Sequence, residues 1–299
     1  LDTETHKPGI PKASFIETNG IKLHVMRAGH EDGEPVLLLH GFPEFWYGWH
    51  GQIEALVEAG YHLIMPDQRG YNLSDKPDGV AVYSIDNLVA DVIGLIDSLG
   101  YDKVRLVAHD WGALVAWYVA MWYPDRLQQL VIMNVPHPYV YTRFVRSSIE
   151  QGLRSWYVGF FQVPGLPEQI AKLNDWSQFA DVMKREAQLN DDQVRRYKEA
   201  WSQPNAMTSM MNWYRAAARL RPKKRTDGRV HVPTLMLWGA KDFALSVNMA
   251  EPSIDMCDEG RLVIFKNASH FVQHVRAQRI NEMLVDFFIN GITDAPPNQ

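Results

Sequence analysis

Apolar residues along the chain fall into short, mostly apolar runs, separated by longer segments in which they recur every three or four positions. The runs lie at about 35–39, 61–65, 104–108, 127–135, 234–238 and 261–265. A short run without polar alternation reads as a strand buried on both faces. Ahead of them, two alternating segments flank Thr18-Asn19-Gly20, and an Asn-Gly in that setting predicts a β-hairpin. Helical spacing predicts helices over about 52–59, 85–99, 113–121 and 276–289; in the second, Ile85, Leu88, Val89, Val92, Ile93 and Ile96 share a face, with Ser84 placed to cap it. Strands alternating with helices predict an α/β fold: a mostly parallel sheet flanked by helices on both sides.

The alternation breaks between about 139 and 221. That stretch is helical and aromatic and carries no clear strand. It reads as a helical cap domain inserted between two parts of one core, 1–138 and 222–299. An insert at that point is expected over the carboxyl ends of the strands, where open α/β sheets bind their ligands.

The organising stretch is Leu106-Val107-Ala108-His109-Asp110-Trp111-Gly112-Ala113-Leu114. A buried strand turns sharply into a helix, with small residues, Ala108 and Gly112, two positions either side of Asp110. This is the context of a nucleophile elbow, which holds its central side chain exposed at a strand end. Here the central residue is a carboxylate, already ionised at neutral pH and able to attack an electrophilic carbon to form an ester. Taken alone, the same Asp could simply cap the following helix.

Two further polar groups follow strands at the same edge: Asp242 after Trp238-Gly239-Ala240-Lys241, and His270 after Phe265-Lys266-Asn267-Ala268-Ser269. Nucleophile, acid, histidine is the chain order of α/β-hydrolases. His270 would serve as general base, with Asp242 fixing its tautomer. Singly, each has a plainer reading as a turn Asp or a surface His. The backbone N–H groups of Phe42, in the loop His40-Gly41-Phe42-Pro43, and of Trp111 could form an oxyanion hole. His270 and His274 are four apart, but without a His-Glu-x-x-His arrangement or a third ligand no metal site is expected.

Composition narrows the class. With 46% hydrophobic and 22% charged residues among 299, the chain has the make-up of a soluble globular protein with ample core. A net charge of −5 gives no sign of a nucleic-acid partner. One cysteine, Cys257, allows no intrachain disulfide. No apolar run is long enough to span a bilayer, so the expectation is a cytoplasmic protein; because the first residue is Leu1, a removed leader and a trimmed chain both stay open. A monomer and a homodimer are both compatible with the sequence. Aromatics cluster at about 42–49, 156–161 and 213–214, which beside a candidate nucleophile suggests an apolar pocket.

Together, His40-Gly41-Phe42-Pro43-Glu44 with Trp46-Tyr47-Gly48-Trp49, Asp67-Gln68-Arg69-Gly70-Tyr71-Asn72-Leu73-Ser74, His109-Asp110-Trp111-Gly112, Lys241-Asp242-Phe243 and Ala268-Ser269-His270 resemble the epoxide hydrolases of the α/β-hydrolase fold, of the soluble, microbial type. The likeness runs from about residue 15 to 290. It implies two cap tyrosines that hold and protonate the epoxide oxygen. Tyr157, four before Phe161-Gln162-Val163-Pro164-Gly165, and Tyr214, in Asn212-Trp213-Tyr214-Arg215, match those positions; without the likeness both read as packing aromatics. The implied reaction converts a small apolar epoxide and water to a vicinal diol through an ester on Asp110, in detoxification or catabolism, with no cofactor or metal. The pocket is expected to include His40, Pro43, Trp46, Phe161, Trp213 and Phe243. Glu44, beside the oxyanion loop, is expected to place the water or tune His270.

A haloalkane dehalogenase shares the Asp nucleophile and is the nearest alternative. It commonly holds the halide with an Asn after His-Gly, where this chain has Phe42, and has no use for the two tyrosines. A fluoroacetate-type dehalogenase would want an Arg where Trp111 stands, and no Gly-x-Ser-x-Gly supports a serine esterase. A non-catalytic receptor would be expected to have lost one of Asp110, Asp242, His270, Tyr157 or Tyr214.

Overall fold

The computed structural model describes residues 9–293. An 8-stranded sheet runs in the order β1-β2-β4-β3-β5-β6-β7-β8. Its strands are β1 (Lys12–Thr18), β2 (Ile21–Ala28), β3 (Glu34–Leu39), β4 (Tyr61–Pro66), β5 (Val104–His109), β6 (Leu127–Met133), β7 (Thr234–Gly239) and β8 (Gly260–Phe265). The Asn19-Gly20 turn closes the antiparallel β1–β2 hairpin with Thr18 opposite Ile21, both turn residues at positive φ. β2 also pairs antiparallel with β4, and every later pairing is parallel.

The mostly apolar runs are explained by a core on each side of the sheet. Leu37, Leu39, Leu106, Ala108, Leu130, Ile132, Met236 and Trp238 face one cluster, which includes α2 (Ile85–Ser98) and α3 (Trp111–Trp122). Their neighbours Val36, Leu38, Val107, Val131, Leu235 and Leu237 face the other, which includes α1 (His50–Glu58) and the long C-terminal helix Ala277–Asn290. Side chains two apart in a strand share a face, so residues buried on both faces must be apolar throughout. Ser84 does stand at the start of α2, but its hydroxyl makes no capping bond; its carbonyl takes the N–H groups of Asn87 and Leu88 instead.

Between β6 and β7 lie α4 (Pro138–Ser147), α5 (Ile149–Arg154), α6 (Trp156–Phe160), α7 (Leu166–Glu186), α8 (Asp191–Trp201) and α9 (Ala206–Arg219). α7 is broken at residues 173–176, where the backbone leaves helical geometry. Several contacts fasten this helical insert to the core, three of them from its aromatic side chains. Trp201 Nε1 donates to Pro43 O at 2.6 Å, Tyr197 Oη to Glu44 Oε1 at 2.9 Å and Trp213 Nε1 to Arg69 O at 2.9 Å. After β7 come α10 (Ala250–Ile254), α11 (Val272–Val275) and α12 (Ala277–Asn290).

Candidate active site

β5 ends at His109 and α3 begins at Trp111, so Asp110 alone makes the turn, with φ 49° and ψ −125°. Positive φ in a non-glycine residue costs on the order of 1–3 kcal/mol and persists only where the surroundings impose it. The surroundings here are tightly packed glycines. A Cβ on Gly112 would run into the Leu39 and His40 carbonyls, and one on Gly41 into the Asp110 side chain itself. This is why the turn needs small residues.

The Asp110 carboxylate is held at both oxygens. Oδ1 accepts the Phe42 N–H at 2.6 Å, and Oδ2 lies 3.4 Å from His270 Nε2. On the far side of the imidazole, Nδ1 is 2.8 Å from Asp242 Oδ2. The Asp242 carboxylate is fully engaged: Oδ1 accepts from the N–H groups of Ala244 and Leu245 at 2.8 and 2.9 Å, and Oδ2 also accepts from Asn134 Nδ2 at 2.7 Å. A Cβ on Gly239, at the end of β7, would strike the Ser269 carbonyl. This close approach brings the Asp242 and His270 loops together.

Burial pushes the Asp110 carboxyl up, but the hydrogen bond and charge of His270, then His109 and the Phe42 N–H, outweigh it and hold it below the ordinary range. Burial disfavours the His270 imidazolium, yet Asp242 and Asp110 on either side outweigh that and raise it to about 10. The two therefore stand as an imidazolium between carboxylates.

Beside Asp110 opens an apolar cavity of about 260 Å³. Phe42, Pro43, Asp110, Tyr157, Phe161, Tyr214, Phe243 and His270 are among its lining residues. The Tyr157 and Tyr214 rings meet edge-on at 5.9 Å. Both hydroxyls are pushed above the ordinary range, first by burial and next by the Asp110 charge, so both keep their protons. Trp156, 68% exposed, and Phe243, 45% exposed, flank the mouth.

This arrangement has close counterparts. An α/β-hydrolase fold family model matches residues 34–277. Mouse epoxide hydrolase 4 is 36% identical over 91% of this chain and 77% of its own length. An α/β-hydrolase superfamily protein of Bacillus subtilis, YfhM, is 43% identical over 93% of this chain and 98% of its own. Among solved structures, a mutant epoxide hydrolase from Bacillus megaterium superposes with a TM-score of 0.85 at 30% identity, covering 93% of this chain and all of that one. The chain belongs to the epoxide hydrolases of the α/β-hydrolase fold.

Three residues expected in the pocket lie outside the cavity of this epoxide-hydrolase chain. His40 is buried behind the Gly41-Phe42-Pro43 turn, where Nε2 accepts the Gln68 N–H at 3.1 Å. Trp46 is pinned by its own backbone N–H, which donates to Asp67 Oδ1 at 3.0 Å. Trp213 packs edge-on between Tyr71 and Trp111 and borders a separate cavity of about 80 Å³, to which Trp111 also contributes. The Asp67–Ser74 motif explains all three placements, through Gln68, Asp67 and the Arg69 carbonyl. Asp67 Oδ2 also takes His24 Nδ1 at 2.6 Å and Asn72 Nδ2 at 2.8 Å, and Arg69 forms a buried fork with Asp91 at 2.7 and 2.6 Å. That motif buttresses the site without lining it.

Glu44 is not in reach of the reacting groups in the manner expected of it. Buried, it accepts from Tyr197 Oη and faces His274 Nε2 at 2.7 Å through Oε1; Oε2 faces His109 Nδ1 at 3.1 Å and accepts from Gln273 Nε2 at 2.9 Å. Its link to His270 runs through His109, whose Nε2 lies 3.0 Å from the His270 carbonyl oxygen. Burial would raise this carboxyl, but His274 and His109 outweigh it and hold it well below its usual value.

Two site residues escape sequence reasoning. Asn134 follows β6 at the same edge as the other groups; the sequence pattern carries that strand on to 135 and so places Asn134 inside it. Gln151 of α5 is fully buried. It accepts the Ser246 N–H at 3.0 Å and donates to the Ala244 carbonyl at 2.9 Å, tying the insert to the Asp242 loop; no motif marks it.

Proposed function

We propose that the protein hydrolyses a small apolar epoxide to a vicinal diol through an alkyl ester on Asp110. The helical insert over 139–221 acts as the cap. The observation that carries this reading is the Asp110 carboxylate, fixed by the Phe42 N–H and His270, at an apolar cavity that it shares with two protonated tyrosines. A mutant of a Bacillus megaterium epoxide hydrolase, 31% identical to this chain, has been solved with its product, (R)-3-[1]naphthyloxy-propane-1,2-diol. An aryl epoxide is accordingly the first substrate to try.

The steps balance. Tyr157 and Tyr214 hydroxyls donate to the ring oxygen. Asp110 Oδ2 attacks a ring carbon, the strained C–O bond opens, and a tyrosine proton goes to the departing alkoxide. Esterification removes the Asp110 charge, one of the two that hold the His270 proton. The imidazolium then releases its proton, which restores the tyrosine, and becomes a base. Neutral His270 takes a proton from water, and the hydroxide adds to the ester carbon. Oδ1 becomes the oxyanion, held by the Phe42 N–H and, in this reading, the Trp111 N–H, each worth about 3 kcal/mol of barrier. Collapse breaks the bond to Oδ2, which leaves with the diol and takes the His270 proton. The new Asp110 carboxyl returns its own proton to His270, and the starting state is restored.

The mouth and lining residues Trp156, Phe243, Phe161 and Pro43 would hold the apolar part of the substrate. Incubation with styrene oxide and, separately, a bromoalkane tests the reading. Diol from the first without bromide from the second supports it; bromide release alone overturns it in favour of dehalogenation.

A further inference from the structure

Asn134 is a buried polar group at the strand edge to which the chemistry above gives no task. Asn134 is the first residue past β6, fully buried, with φ 54° in the left-handed region that Asn, Asp and Gly tolerate. Its backbone N–H donates to the Leu237 carbonyl at 3.1 Å. Its side-chain Oδ1 accepts the Gly239 N–H at 3.1 Å, which fixes the amide so that Nδ2 faces Asp242. Nδ2 and His270 Nδ1 share one acceptor, Asp242 Oδ2, at 2.7 and 2.8 Å.

We propose that Asn134 is a positioning residue for ester hydrolysis: it fixes the rotamer of Asp242 and, by sharing Oδ2 with His270, limits how tightly Asp242 holds the imidazole proton. The inference rests on the reading of His270 as the hydrolytic base. The Asp242 carboxylate accepts four N–H donors, two on each oxygen. A carboxylate oxygen that stabilises two donors bonds each less strongly than one that serves a single donor. Removing the Asn134 donor leaves more negative charge facing His270, so the imidazolium would release its proton less readily after Asp110 is esterified. Asp110 attack does not need that release and would be spared.

The titratable and charged groups around the pair come from several elements. Asp110 and His109 stand at the elbow, the His109 ring 4.8 Å from that of His270. From the insert, Tyr157 feels the Asp242 charge, and Arg154 Nη1 donates to the Asp242 carbonyl at 2.5 Å. None of them donates to Asp242 Oδ2 in place of Asn134.

The test uses Asn134→Gly and Asn134→Ala, which both remove the donor; Gly takes the left-handed backbone without strain, and Ala keeps a Cβ there. Rates of ester formation and ester hydrolysis are followed separately in single turnovers of an aryl epoxide across pH. The expected result is ester formation within about threefold of wild type, hydrolysis slowed at least about tenfold at neutral pH, and its acid limb moved up by about half a pH unit or more. Steady-state kcat and KM would fall together, because the ester accumulates. An unmoved acid limb with only a lower Tm overturns the proposal, as does equal loss in both half-reactions or failure of both variants to fold. If the wild type itself forms no Asp110 ester, the parent reading falls first, and the two failures are thereby distinguished.

Discussion

The His270 Nε2 atom lies 3.4 Å from Asp110 Oδ2, on the opposite side of the ring from the Asp242 contact. The proposed base and nucleophile are thus neighbours in the resting protein, and each favours the charged form of the other. Asp110 is kept ionised and ready to attack, and His270 is kept protonated until Asp110 loses its charge. The order of events in the proposed reaction follows from that coupling.

His270→Gln should separate the half-reactions. Attack by Asp110 survives, while hydrolysis of the ester slows by about 10³-fold or more. Intact-protein mass spectrometry after mixing with epoxide checks it: the variant should gain the mass of one epoxide and keep it. A variant that turns over without a stable adduct would contradict the role.

The pH dependence has a definite sign. Hydrolysis needs neutral His270, so its rate should fall as pH is lowered. His270 is raised to about 10 in the resting protein by two carboxylates, and esterification removes one of them. The acid limb for ester hydrolysis should therefore lie well below pH 10. Rapid-quench measurements on preformed ester at several pH values give that limb directly.

Tyr157→Phe and Tyr214→Phe each remove a proton donor while keeping the ring. Each should slow ester formation by about 10²-fold, with the double variant close to inactive. Because a phenyl ring preserves the edge-on packing against Phe161, Tm should change little for either. Equal rates for wild type and both single variants would return these residues to a packing role.

Glu44 should matter to stability against acid. Its folded carboxyl is held well below its usual value, so the stability it adds is present above about pH 4.5 and is lost as pH falls toward its folded value. Glu44→Gln should cost about 1–3 kcal/mol near neutral pH and show a shallower acid decline below pH about 4.5. Denaturant titrations at pH 7 and pH 4 check this. An unchanged pH–activity profile in the same variant would remove Glu44 from any tuning of His270, leaving it a hub between the oxyanion loop, the elbow and Tyr197 of α8.

What could be read from the sequence followed from periodicity. Val104 to Ala108 reads as a central strand because only Arg105 interrupts its apolar residues, and Asp110 reads as a turn because an apolar helix pattern starts directly after it, with small residues, Ala108 and Gly112, on either side. Asp242 and His270 were legible because each lies just past such a strand. Side-chain direction was not. His40, Trp46 and Trp213 belong to the right loops and helix, yet hydrogen bonds to Gln68, Asp67 and Arg69 turn them away from the cavity. Asn134 was hidden for a different reason: its role depends on β7 lying beside β6, a pairing that no local pattern reveals.

The central claim is the ester on Asp110, and one measurement addresses it most directly. With enzyme in excess over an aryl epoxide, a single turnover is run in oxygen-18 water and both products are analysed. The account predicts unlabelled diol, because its new oxygen comes from Asp110 Oδ2, and label on the peptide containing Asp110. Labelled diol with an unlabelled Asp110 peptide would mean that water attacks the epoxide directly, and the account would be wrong.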